Sequence, residues 1–181
     1  MRQPVWAHLG PYTSAFTFNP PTMQLQQLTK QAYTTQLEAT ILIDAARPMV
    51  WAVVREIGDI ARFHPLLRDS FRLNETEGIG AQRHCKMKPM GEMEEKVIDW
   101  REENGFTTKV VSGKMLPPCD FMYGELRLEA VGQKTRVSFG MVYRIKYGFL
   151  GYILDSLFFK PQFRSAPQKY VEGLKEYLET S

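Results

Sequence analysis

The sequence predicts a soluble α+β fold: one domain in which a curved seven-stranded antiparallel sheet wraps a long C-terminal helix, with two short helices after the first strand. Three observations predict it. A period-two strand leads directly into two helical segments, six more strand-like segments follow too closely for crossover helices to fit between them, and the chain closes on an apolar stripe at helical spacing.

Residues 1–32 stand apart. They hold Pro4, Pro11, Pro20 and Pro21 and no sustained period, so they read as an irregular or partly ordered arm ending in a short helical piece over Met23–Ala32. The domain proper spans 33–181. In YTTQLEATILI, Leu37, Ala39, Ile41 and Ile43 share one face and Gln36, Glu38 and Thr40 the other, the pattern of a half-buried strand. In AARPMVWAVVREI, Pro48 suits a first helical turn, and Val50, Trp51, Val54 and Ile57 recur at helical spacing up to Gly58. DIARFHPLL makes the second helix, stopped by Pro65. Strands follow around Phe71 and Leu73 and in GIGAQRHCKMK, EMEEKVIDWRE, FTTKVVSG, FMYGELRLEAV and KTRVSFGMVYRIK, with Gly132 at the last hairpin. The final helical stretch runs from about Gly148 to Leu178. Its stripe is Phe149, Leu150, Ile153, Leu154, Leu157 and Phe158, then Tyr170, Val171, Leu174 and Leu178, and Pro161 and Pro167 predict a kink or a break into two helices.

Composition narrows the function classes. Apolar residues are 44% and charged residues 24% of a 181-residue chain with net charge +3, so a single packed domain is expected and no basic stripe suggests nucleic acid. No apolar run approaches the roughly 20 residues of a membrane span, and the N-terminus lacks the build of a secretory signal. Two cysteines, Cys85 and Cys119, make no disulfide framework, so a reducing cytoplasm is expected. His8, His64 and His84 do not cluster with other ligands, and no metal or cofactor is expected; His64, before Pro65, reads as part of a loop or cavity rim.

A helix is about 10 Å across and strands lie about 4.8 Å apart, so one helix cannot cover seven flat strands. The sheet must curl, and a curled sheet crossed by one helix encloses an apolar cavity. Alternation points Arg83, Cys85 and Met87 inward on one strand and Met93, Glu95 and Val97 inward on the next. Pairing Lys88 with Glu92 makes Arg83 and Glu95 diagonal neighbours close enough to form an ion pair. The same rule adds Phe71, Leu73, Phe106, Thr108, Val110, Met122, Leu126, Leu128, Val137, Phe139, Met141 and Tyr143 to the lining, and the helix adds Leu154, Leu157 and Phe158.

The stretches ILIDAARPMVWAVVREIGDIARFHPLL, GIGAQRHCKM, GEMEEKVIDW, CDFMYGELRLEAVGQKTRVSFGMVY and GLKEYLE, in that order and spacing, resemble the START-like or Bet v 1-like (SRPBCC) superfamily, in its polyketide cyclase/dehydrase and lipid transport branch. The resemblance covers Tyr33 to Ser181 and implies a helix-grip fold that binds lipids, isoprenoids, polyketides or similar apolar molecules. Three functions remain open. The first is a non-catalytic binder or carrier of a small hydrophobic ligand. The second is a cyclase or dehydratase in which Arg83, Glu95 and Tyr143 polarise carbonyls or move protons. The third is a protein- or membrane-interaction module using the apolar FLGYILDSLFF stretch. Oligomeric state is not legible.

Overall fold

The structure, a computed structural model, describes residues 23–180. The expected arm therefore lies mostly outside the described residues. Its end is α1 (Met23–Thr29), which buries Leu25 beside Tyr123 and Val142 on the outer face of the sheet. Then come β1 (Thr35–Ile43), α2 (Arg47–Val54), a 3-10 helix (Ile57–Arg62) and six strands: β2 (Leu67–Arg72), β3 (Gln82–Met87), β4 (Glu92–Arg101), β5 (Gly105–Lys114), β6 (Cys119–Val131) and β7 (Lys134–Ile145). All neighbours are antiparallel, in the order β1-β7-β6-β5-β4-β3-β2. β1 alternates buried and exposed residues as its period-two sequence demands. Gly58 sits inside the 3-10 helix rather than ending the helix before it, which stops at Val54.

Bulges between Leu67 and Asp69, Glu94 and Glu95, Val97 and Asp99, and Cys119 and Phe121 bend the sheet into a trough. One end of the trough is stoppered by α2, where Trp51 meets Trp100 edge-on at 4.8 Å and Trp100 stacks on Phe106. The last helix, α5 (Ala166–Glu179), lies against β1 and β7 and buries Pro167, Tyr170, Val171 and Leu174, one helical face. Each of the three larger apolar side chains contributes about 1.5–3 kcal/mol by leaving water.

The C-terminal stretch is divided. α3 (Gly148–Leu154) runs through a π-helical turn (Asp155–Phe159) into α4 (Lys160–Phe163), and the chain breaks at Arg164–Ser165 before α5. Pro167 occupies the first turn of α5, where no amide donor is missed, whereas Pro161 follows the π-helical turn inside a continuous helical run and donates no bond to the turn before it.

Two sets of expected lining residues face the other way. Phe71 is 43% exposed and stacks on His84, and Leu73 lies beyond the end of β2, also exposed. The bulge near the start of β2 resets its alternation, so Ser70 and Arg72 fall opposite Cys85 and Arg83. The inward Ser70 hydroxyl donates to the Gly58 carbonyl and accepts from the Ala61 amide, which holds the 3-10 helix in place. Leu154, Leu157 and Phe158 are likewise exposed, contrary to expectation. The face of that stretch turned to the sheet carries Gly151 and Asp155 instead. A Cβ at Gly151 would sit 1.9 Å from the Lys146 carbonyl oxygen, so only glycine permits the approach.

Candidate functional site

The trough's open end holds a cavity of about 100 Å³. β3 and β4 supply Arg83, Met87, Met93 and Glu95, β5 supplies Val110, β6 supplies Met122 and Gly124, and β7 supplies Phe139 and Met141. His64, Leu67, Phe163, Ala166 and Tyr170 complete the wall, with the His64 and Tyr170 rings edge-on at 5.5 Å, and Leu116 comes from the β5–β6 loop. The walls are apolar except for Arg83, Glu95, His64 and Tyr170.

Arg83 and Glu95 are direct cross-strand partners rather than diagonal ones, because the β3–β4 turn is longer than expected and Lys86, not Lys88, pairs with Glu92. Arg83 Nε donates to Glu95 Oε2 at 2.7 Å, with both side chains within a few per cent of complete burial. Thr108 Oγ1 donates to Glu95 Oε1 at 2.8 Å, and Arg83 Nη1 donates to the Ile57 carbonyl at 3.3 Å. Burial alone would raise the Glu95 carboxyl, but the adjoining guanidinium and its hydrogen bonds hold it below the usual range. Burial would lower Arg83 in the same way, and Glu95 holds it above its ordinary value. Each carboxylate oxygen of Glu95 already accepts a hydrogen bond.

Tyr143 does not join them. It is fully buried under α3 and the π turn, where its hydroxyl donates to Asp155 Oδ1 at 2.9 Å while Thr35 Oγ1 donates to Asp155 Oδ2 at 2.5 Å. Burial first, and Asp155 second, push the Tyr143 hydroxyl well above its ordinary pKa. The three residues expected to share acid–base chemistry thus occupy two separate places. Cys85, Val97, Phe106, Thr108, Leu126, Leu128 and Val137 point inward as expected but are buried outside the cavity wall. Of the remaining expected lining, Val110, Met122, Phe139 and Met141 do border the cavity. Among the described residues no group of three metal-ligating side chains comes together, and no helix is long and apolar enough to cross a membrane.

Of the polar residues in the wall, Tyr170 escaped sequence reasoning, whereas His64, expected at a loop or cavity rim, does border the cavity. Tyr170 is 2% exposed and stacks on Phe139 at 4.1 Å, yet its hydroxyl makes no hydrogen bond with any described residue. Burial raises that hydroxyl's pKa, so it stays a donor. His64 Nδ1 accepts the Leu66 amide at 3.4 Å, which leaves Nε2 to carry the proton. Helical spacing marked Tyr170 as core, and its single polar atom gives no periodic signal; for His64 the following proline is the signal that puts it in a loop.

Burial, and secondarily the Arg83 charge, push His64 down to about 4 from its ordinary 6.5. The folded state binds this proton more weakly than the unfolded chain. Its share of stability is therefore complete above pH 6.5 and is lost as pH falls toward 4. At about 1.4 kcal/mol per pK unit, that share is at most about 3 kcal/mol. Urea unfolding at pH 7 and pH 4.5 checks it: His64→Gln flattens the fall in stability relative to the parent chain.

Beyond Lys109–Tyr123 the strands β5 and β6 part, although β5 runs on to Lys114 and β6 begins at Cys119. The gap is an open cleft of about 500 Å³. Val110, Leu116 and Met122 border both the cleft and the cavity, so these three side chains form the partition between them. Leu116 rests on Gly113, where a Cβ would come within 2.2 Å of Leu116 Cδ1.

A model of the polyketide cyclase/dehydrase and lipid transport family matches residues 34–179. No curated protein matches the chain. Among solved structures, TTHA0849 from Thermus thermophilus is 16% identical with a TM-score of 0.67, covering 81% of this chain and 98% of its own. A START superfamily protein from Mycobacterium smegmatis is 12% identical with a TM-score of 0.62, covering 80% and 97%. Major latex-like protein 151 from Panax ginseng is 12% identical with a TM-score of 0.62, covering 81% and 98%. At such identities the likeness is one of fold.

Proposed function

The chain belongs to the polyketide cyclase/dehydrase and lipid transport family, and on that premise we propose that it binds a small apolar molecule carrying one hydrogen-bond-accepting oxygen. Its fold is the helix-grip arrangement of START-like and Bet v 1-like proteins, a curved seven-stranded sheet around a C-terminal helix. The family binds small hydrophobic ligands in general. The observation that carries the finer reading is the Tyr170 hydroxyl, which borders the cavity on a ring stacked against Phe139. A hydrogen bond from it to a ligand oxygen contributes about 0.5–1.5 kcal/mol. His64, whose ring packs edge-on against Tyr170 at 5.5 Å, offers a second donor at Nε2.

Transport or storage fits these residues better than acid–base catalysis. The Glu95 carboxylate is saturated by Arg83 and Thr108 and held ionised, so it is a poor general acid and a hindered base. The cavity is smaller than the roughly 300 Å³ of ordinary ligand pockets, so a ligand of useful size enters as Leu116 swings aside and the cleft joins the cavity.

Titration calorimetry with 2-nonanone and with n-nonane tests the reading. Tyr170→Phe keeps the ring stacked on Phe139 and removes only the donor. It weakens the ketone roughly fivefold to tenfold and leaves the alkane unchanged, with no loss of stability. Equal affinity of parent and variant for the ketone would overturn the assignment.

A further inference from the structure

Phe149, Leu150, Ile153, Leu154, Leu157 and Phe158 follow the i, i+1, i+4, i+5 spacing of one helical face, and that face looks outward: Leu150 is 66% and Leu157 64% exposed. Tyr33 lays its ring against Phe149 and Tyr152 and extends the patch. Isolated exposed apolar residues are ordinary, but a continuous face of this kind marks a docking surface. Its charge is one-sided. Between Lys146 and Gln168 the sequence has one acid, Asp155, and Asp155 is buried in its bonds to Thr35 and Tyr143. Lys146, Lys160 and Arg164 are exposed around the patch, while Asp120, on the adjoining end of β6, is paired with Arg144.

We infer that this face docks on an anionic membrane surface, its apolar side chains entering the boundary between headgroups and acyl chains and its cations meeting lipid phosphates. Charge complementarity selects this occupant. Residues 1–22 contain Arg2 and no acid, so that segment brings nothing to neutralise the cations. A second copy of the chain would set like charges against one another. The inference stands apart from the ligand reading, but the two meet in space: the same helical stretch ends at Phe163, which lines the cavity.

Co-sedimentation of the full chain with phosphatidylcholine vesicles, with and without phosphatidylglycerol, tests it. Binding to the anionic vesicles is expected, several-fold weaker binding to the neutral ones, and loss near 1 M salt, where the screening length is about 3 Å. Leu157→Asp with Phe158→Asp lowers the partition coefficient at least about tenfold while the circular dichroism spectrum and Tm stay unchanged. Lys160→Glu with Arg164→Glu removes the preference for anionic vesicles. Three results would overturn the inference: no binding to anionic vesicles, equal binding to both kinds, or a dimer in solution that the Leu157 and Phe158 substitutions dissociate, which assigns the face to a second copy.

Discussion

Glu95→Ala destabilises the protein by about 3–5 kcal/mol, because it leaves the Arg83 guanidinium buried without a counter-charge. Urea unfolding measures it as a lower midpoint at unchanged slope. The partner experiment separates pairing from packing. Arg83→Met combined with Glu95→Leu recovers most of the loss, since the pair lies among Ile57, Cys85 and Met93 in surroundings that accept apolar side chains. A single substitution costing less than about 1 kcal/mol would mean that Arg83 reaches water, contrary to its burial.

Asp155→Ala is expected to cost a similar amount, about 3–5 kcal/mol, by removing two hydrogen bonds to a buried carboxylate and stranding the Tyr143 and Thr35 hydroxyls. Its signature is local as well as global. Asp155 is the polar tie between the 148–163 stretch and the sheet, whereas α5 is held by Tyr170, Val171 and Leu174. Hydrogen exchange should therefore quicken across 148–163 while the amides of α5 keep their relative protection. Uniform loss of protection in both helices would show that they open as one unit.

The two residues differ in how far they could be read from sequence. Glu95 was legible because strict alternation fixes a face, and the face survives an error of two residues in register: Arg83 pairs directly with Glu95, not diagonally, yet both still point inward. All seven strands and the terminal helices follow from period alone. Phe71 and Leu73 were misplaced because a bulge shifts alternation by one residue, and nothing in LRDSFRL marks it. Asp155 was missed for a different reason. The apolar stripe of FLGYILDSLFF is the strongest periodic signal in the region, and packing reverses it: Gly151 at the close approach and Asp155 under Tyr143 choose the inward face. Local hydrophobicity cannot foresee that a buried polar tie between residues far apart in the chain will win. The division of the candidate catalytic set follows from the same fact, since Tyr143 is claimed by Asp155 rather than by the cavity.

The central claim is that the cavity is the ligand site. Methionine methyl NMR tests it most directly, because the chain carries its own controls. Met87, Met93, Met122 and Met141 line the cavity, whereas Met49 and Met90 are exposed elsewhere. Titration of 2-nonanone into methyl-labelled protein should shift the four cavity methyls saturably and leave Met49 and Met90 in place. Shifts confined to the exposed methionines, or none at any concentration up to the solubility of the ketone, would contradict the account.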